Sequence, residues 1–115
     1  MSVTIRLFSG EIVLKYDGRR FRSFSGMPVC ELDGNYVRRP TGAILYKLEG
    51  DLVRDFYGTI VYRFDGELFR NFSSEILMRL RGDQILSFSG QILYKVEGYL
   101  DHDEMMALLA VLAIG

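Results

Sequence analysis

The chain has 115 residues with 14 basic and 15 acidic side chains, a net charge of −1, one His, one Cys, two Pro and no Trp. That length suits a single domain, residues 1–115, able to bury a core without staples. One Cys excludes a disulfide framework and a thiolate metal cluster, one His removes most metal sites, and near-neutrality gives no field to attract nucleic acid.

Glycine placement organises the rest. Gly10, Gly18, Gly26, Gly34, Gly42, Gly50, Gly58, Gly66, Gly82, Gly90 and Gly98 fall on a spacing of eight, with Ser74 in the one empty slot. The full unit is sixteen residues. A half copy, Thr4 to Gly10, precedes five copies that begin at Glu11, Met27, Ala43, Thr59 and Glu75, and a half copy, Gln91 to Gly98, follows. Apolar residues alternate within each half: Ile12, Leu14 and Tyr16 in the first copy, Ile60, Tyr62 and Phe64 in the fourth. Alternation rich in β-branched and aromatic residues predicts strands. Asp17-Gly18, Asp33-Gly34 and Asp65-Gly66 predict tight type I′ hairpins. The Phe-Ser-Gly segments fit either a two-residue turn or a three-residue loop, and the face taken by Phe8, Phe24, Phe56, Phe72 and Phe88 depends on which. One strand per half copy predicts twelve strands over 4–98, an antiparallel meander. The competing parallel solenoid would stack Arg22, Arg38, Arg54 and Arg70 on one another, which is repulsive, and the Asp-Gly turns oppose it.

After Gly98 the pattern stops. Asp101 with Glu104 forms a capping-box signature ahead of Met105 to Ile114, apolar on every side. The expected helix over 101–114 must be buried all round, and at about 20 Å it is too short to cross a bilayer, so no transmembrane segment is expected. The N-terminus lacks the apolar run of a secretory signal, which makes the cytoplasm the expected location.

A sheet closed around the helix disposes of both sheet edges and the apolar helix. Twelve tilted strands give a radius of roughly 9 to 12 Å, which one helix with its side chains fills. The expected fold is therefore mainly β, a twelve-stranded antiparallel barrel around a C-terminal helix, with an open sheet covered by the helix as the alternative. Bulges near the Phe-Ser-Gly loops are the expected source of the stagger that closure needs. Twelve antiparallel strands followed by an apolar helix resemble, in element count and order, the tubby C-terminal fold shared with scramblase and LURP-one-related proteins. The run Ile60-Val61-Tyr62-Arg63-Phe64-Asp65-Gly66 is similar to hairpin units of small bacterial β-flower domains. The tubby-like resemblance implies phosphoinositide or membrane binding.

The candidate ligand residues are cationic. Arg6, Arg22, Arg38, Arg54 and Arg70 recur once per repeat, and Lys15, Lys47, Arg63, Arg79 and Lys95 occupy the fifth position of their copies. With two-residue turns both rows share one face, opposite the Ile and Tyr rows. As a strip for anionic groups the residues to consider are Arg22, Arg38, Arg54, Arg70, Lys47 and Arg63; as plain outer wall they cover apolar surface with their stems. Asp101, His102, Asp103 and Glu104 read as a helix cap, since consecutive residues on one turn do not converge on an ion. Tyr16, Tyr46, Tyr62 and Tyr94 belong to the inner face. Cys30, between Pro28 and Pro40 in the most divergent copy, is a buried thiol, and that copy is where a seam or opening is expected. No glycine pattern cradles phosphate, no catalytic set stands out, and no cofactor or metal is implied. The expected role is a non-enzymatic structural or protein-binding module. The alternative is a module for anionic lipid or phosphate, so the partners to consider are a protein or an anionic lipid.

Overall fold

The computed structural model describes residues 2–114. Twelve strands follow in order: β1 Val3–Leu7, β2 Ile12–Tyr16, β3 Arg20–Ser23, β4 Pro28–Asp33, β5 Tyr36–Arg38, β6 Ile44–Glu49, β7 Leu52–Asp55, β8 Ile60–Phe64, β9 Leu68–Asn71, β10 Ile76–Arg81, β11 Gln84–Ser87 and β12 Ile92–Glu97. Each pairs antiparallel with its sequence neighbours, and β1 closes on β12 through Thr4↔Glu97, Ile5↔Val96, Arg6↔Lys95 and Leu7↔Tyr94. The sheet is a closed twelve-stranded barrel.

The helix α1, His102–Ile114, is its axis. Met106, Ala107, Leu108, Leu109 and Ala110 are all 0 % exposed. Five consecutive residues cover the full circumference of a helix, so wall surrounds it on every side. Inward side chains meet it from around the barrel, among them Ile5, Phe21, Val37, Val53, Phe69 and Ile85. The capping box is reciprocal: Glu104 N–H donates to Asp101 Oδ1 at 2.8 Å and Asp101 N–H to Glu104 Oε1 at 3.0 Å.

The two kinds of connection lie at opposite ends. At the end holding the helix N-terminus, the turns are Gly-first. Gly34, Gly50 and Gly82, each at φ +60°, occupy the first central position, and the residues after them keep negative φ. That is the type II′ pattern, not the expected I′, because one positive φ per turn suffices when glycine leads. The acidic residue before the glycine has a different job. Asp17 and Asp65 each accept two backbone N–H groups across their turns, which holds both carboxyls below the ordinary range.

At the opposite end the loops hold three residues. In the first, Gly10 N–H donates to Leu7 C=O at 2.9 Å and Leu7 N–H to Glu11 C=O at 2.8 Å, with Gly10 at φ +98°. Beside every such loop the register slips by one residue, skipping Val13, Val29, Leu45, Val61, Leu77 and Leu93 in turn. These six bulges sit inside the strands and not in the loops themselves, and they supply the stagger that closure needs.

The bulges also overturn one expectation about faces. A one-residue slip moves everything beyond it to the other side of the sheet. The Ile row was expected inside with the Tyr row, but Ile44, Ile60 and Ile76 lie directly opposite Arg38, Arg54 and Arg70, and none belongs to the core. Their places against the core go to Val13, Leu45, Val61, Leu77 and Leu93.

Candidate functional site

The loop end is the candidate site. The first residue of each three-residue loop is Phe8, Phe24, Pro40, Phe56, Phe72 and Phe88 in turn. The five phenyl rings are 67–78 % exposed, whereas the barrel's inward Phe21, Phe64 and Phe69 are at most 1 % exposed. The rim therefore carries a crown of rings around the half-buried Val111, Leu112 and Ala113 at the helix's C-terminal end. Just below, on the outer wall, the Ile row alternates with the Arg row.

Each of those arginines has a local partner. The Nη1 group of Arg6, Arg22, Arg38, Arg54 and Arg70 donates to the carbonyl of Gly10, Gly26, Gly42, Gly58 and Ser74 respectively, at 2.9 to 3.1 Å. The same guanidinium groups reach acids at the far ends of their own or adjacent strands: Arg6 to Glu97 at 2.8 Å, Arg38 to Asp33 at 3.2 Å, Arg54 to Glu49 at 3.3 Å and Arg22 to Asp17 at 3.8 Å. The hydrogen bond from Arg6 holds Glu97 below the usual carboxylate range. The arginines thus brace the loops, and a guanidinium with five donors retains some for a ligand.

Of the six cations singled out in the sequence, five occupy consecutive strands, β5 to β9. Lys47 lies opposite Arg54 on β6 and β7, and Arg63 opposite Arg70 on β8 and β9. Arg38 follows on β5, opposite Glu31, while Arg22 stands apart on β3, opposite Lys15. Like charges directly opposed cost stability, yet the pattern recurs at Arg6 and Lys95.

The net charge of −1 conceals a segregation along the barrel axis. Eleven of the fifteen acids lie at the turn end: Asp17, Asp33, Glu49, Asp65 and Glu97 before a glycine, Asp51, Glu67 and Asp83 after one, and Asp101, Asp103 and Glu104 on the helix start. Only Arg19 and Arg81 accompany them, leaving that end at −9 and the wall and rim together at +8. The helix dipole accounts for the acids in its first turn, but it fades within one turn and does not reach outer-wall arginines.

The remaining groups are structural. His102 Nε2 lies 3.0 Å from Asp51 Oδ1, and its ring stacks on Phe64 with centroids 5.2 Å apart. Among the described residues no three His, Cys, Asp or Glu side chains converge on a metal position. Burial, then the nearby Glu104 carboxylate, pushes the Tyr16 hydroxyl up, and burial lifts the Cys30 thiol to about 12. Both are neutral at pH 7. No helix among the described residues is long and apolar enough to cross a membrane. Comparison of the chain with protein-family models, with curated proteins and with solved structures finds no match.

Two features escaped the residue-by-residue reading. The charge segregation needs the turns to be assigned to ends before it can be counted. Arg39 was passed over, although it aligns with Ser23, Asp55, Asn71 and Ser87, which are small and polar in the other copies.

Proposed function

We propose that the protein is a non-enzymatic binding module that docks its loop-end rim onto an anionic membrane surface. The observation that carries this reading is the coincidence, on one end, of five exposed phenyl rings with the five arginines that brace loops of that end. Exposed rings beside a cationic band and an Ile row are the composition of an interfacial anchor. Each ring carried into the acyl boundary contributes on the order of 1–2 kcal/mol. Each cation close to anionic lipid adds about 1 kcal/mol, so a partly engaged rim suffices for association.

The spacing of the rings favours a lipid surface over a folded partner. Among the described residues the one ring contact made by a rim phenylalanine is Phe56 with Tyr57, 5.4 Å between centroids. The crown is a set of separate prongs and not one patch. A folded protein would have to match each prong, whereas a bilayer interface receives rings at any spacing.

Vesicle flotation tests the proposal. The wild type is expected to float with phosphatidylserine-containing vesicles at low salt, less at high salt, and weakly with phosphatidylcholine alone. Phe72→Ser with Phe88→Ser is expected to weaken binding about thirtyfold or more with an unchanged melting temperature. Failure to float with anionic vesicles at low salt ends the lipid reading and leaves a protein partner for the rim.

A further inference from the structure

We propose that a slit in the barrel wall between β4 and β5 binds a single-chain aliphatic carboxylate. The proposal concerns the wall of one hairpin and does not rest on the rim's docking to a membrane.

The slit begins with a missing strand pair. In the other hairpins joined by a tight turn, pairing runs on to Leu14↔Ser23, Tyr46↔Asp55, Tyr62↔Asn71 and Met78↔Ser87. Between β4 and β5 it stops at Glu31↔Arg38, and Cys30 and Arg39 do not pair with each other. The cause is in the sequence. Pro40 stands where the other copies have Phe, and having no N–H it cannot donate the bond that would add the next rung. Pro28, on the other lip, replaces the Ile of the outer row.

A cavity of about 470 Å³ opens there, lined by Val29, Cys30, Pro40, Leu45, Arg39 and Val111 with Thr41 at its edge. That volume is in the range of sites that enclose small ligands. Val111 belongs to the helix, so the cavity is bordered on its inner side by the helix's C-terminal end. Its lining is apolar apart from Arg39 and the Thr41 hydroxyl, and the Cys30 thiol within it is uncharged because burial holds its proton.

Arg39 is the second departure from the repeat. At the equivalent position Asp55 Oδ1 accepts N–H groups of Tyr57 and Thr59, Asn71 Oδ1 accepts those of Ser73 and Glu75, and Ser87 Oγ accepts that of Gln91. An arginine cannot accept, so this copy gives up its loop cap. Among the described residues Arg39 makes no ion pair, unlike Arg38 beside it. A local rule broken at Pro28, Cys30, Arg39 and Pro40 together, without an internal partner for the new charge, marks a site and not a packing device. An aliphatic tail fits the apolar walls, and a carboxylate matches a guanidinium that has no acid of its own.

The test is titration of the full chain with laurate below its micelle concentration, by calorimetry and by amide shifts. Saturable one-to-one binding is expected, with the largest shifts at Val29, Leu45 and Val111. Arg39→Gln, at an exposed position, is expected to weaken it about tenfold, and uncharged dodecanol to bind the wild type no better than laurate binds that variant. Leu45→Trp fills the cavity and is expected to abolish binding. Val29→Phe, at a partly exposed lip, does the same should Leu45→Trp not fold. Absence of saturable binding overturns the proposal. So does binding unaffected by Arg39→Gln, or binding lost in Phe72→Ser with Phe88→Ser, which would place laurate on the rim.

Discussion

The two ends of the barrel join the same strands with different rules. At the turn end, polar side chains find partners within the molecule: Asp17 and Asp65 hold the N–H groups of their own turns, Asp101 and Glu104 cap the helix, and His102 rests against Asp51 and Phe64. At the loop end the backbone is equally well bonded, but the phenyl rings touch almost nothing. Folding accounts for these capping and turn residues at the first end, where Tyr99 is the exposed aromatic, and leaves the five rings of the second unexplained. Function belongs where folding has no use for the side chain.

The largest expected effect sharpens what the two ends share. Removing residues 101–115 takes away the axis against which the inward side chains pack, and the barrel is expected to lose cooperative unfolding and aggregate. A soluble truncation with a sharp thermal transition would show that the wall stands without the helix. Within the helix, Leu109→Ala is expected to cost about 2–5 kcal/mol, read from denaturant unfolding.

The fold was legible where residue type and spacing coincide. Glycine every eighth residue counts the strands, and Asp101 with Glu104 places the helix start. The Ile row was misplaced because the bulged residues are Val and Leu, which look like any strand residue, so the slip of register leaves no mark in the sequence. The rim was undecided for a related reason: the loop type decides where the phenyl rings point. Repelling arginines do not by themselves exclude a solenoid, since the barrel itself opposes Arg63 to Arg70; the glycine turns weigh more.

Smaller effects separate the ends further. Ser74, the one non-glycine with positive φ among the described residues, sits at +72° on the loop end. Ser74→Gly removes that strain and is expected to stabilise by about 1 kcal/mol, seen as a higher melting temperature. A loss of stability would mean that the Ser74 side chain carries a bond worth more than the strain.

At the turn end, the lowered pKa values of Asp17 and Asp65 give an acid dependence. Their contribution is complete above the ordinary carboxylate value of 3.8 and is lost as pH falls through the lower folded values. Because both groups are solvent-exposed, Asp65→Ala is expected to cost less than about 1 kcal/mol at pH 7. That variant should show a shallower loss of stability below pH 4. An unchanged slope would assign the acid sensitivity to other groups.

The absence of tryptophan allows a direct comparison of the two ends. Phe72→Trp places one reporter on the rim, and Glu67→Trp places one at the turns. With phosphatidylserine-containing vesicles, the rim tryptophan is expected to shift to the blue and to be quenched by brominated acyl chains, while the turn tryptophan keeps its spectrum. A rim tryptophan that stays in water while the protein is bound to vesicles, or a turn tryptophan that is quenched instead, would contradict the account.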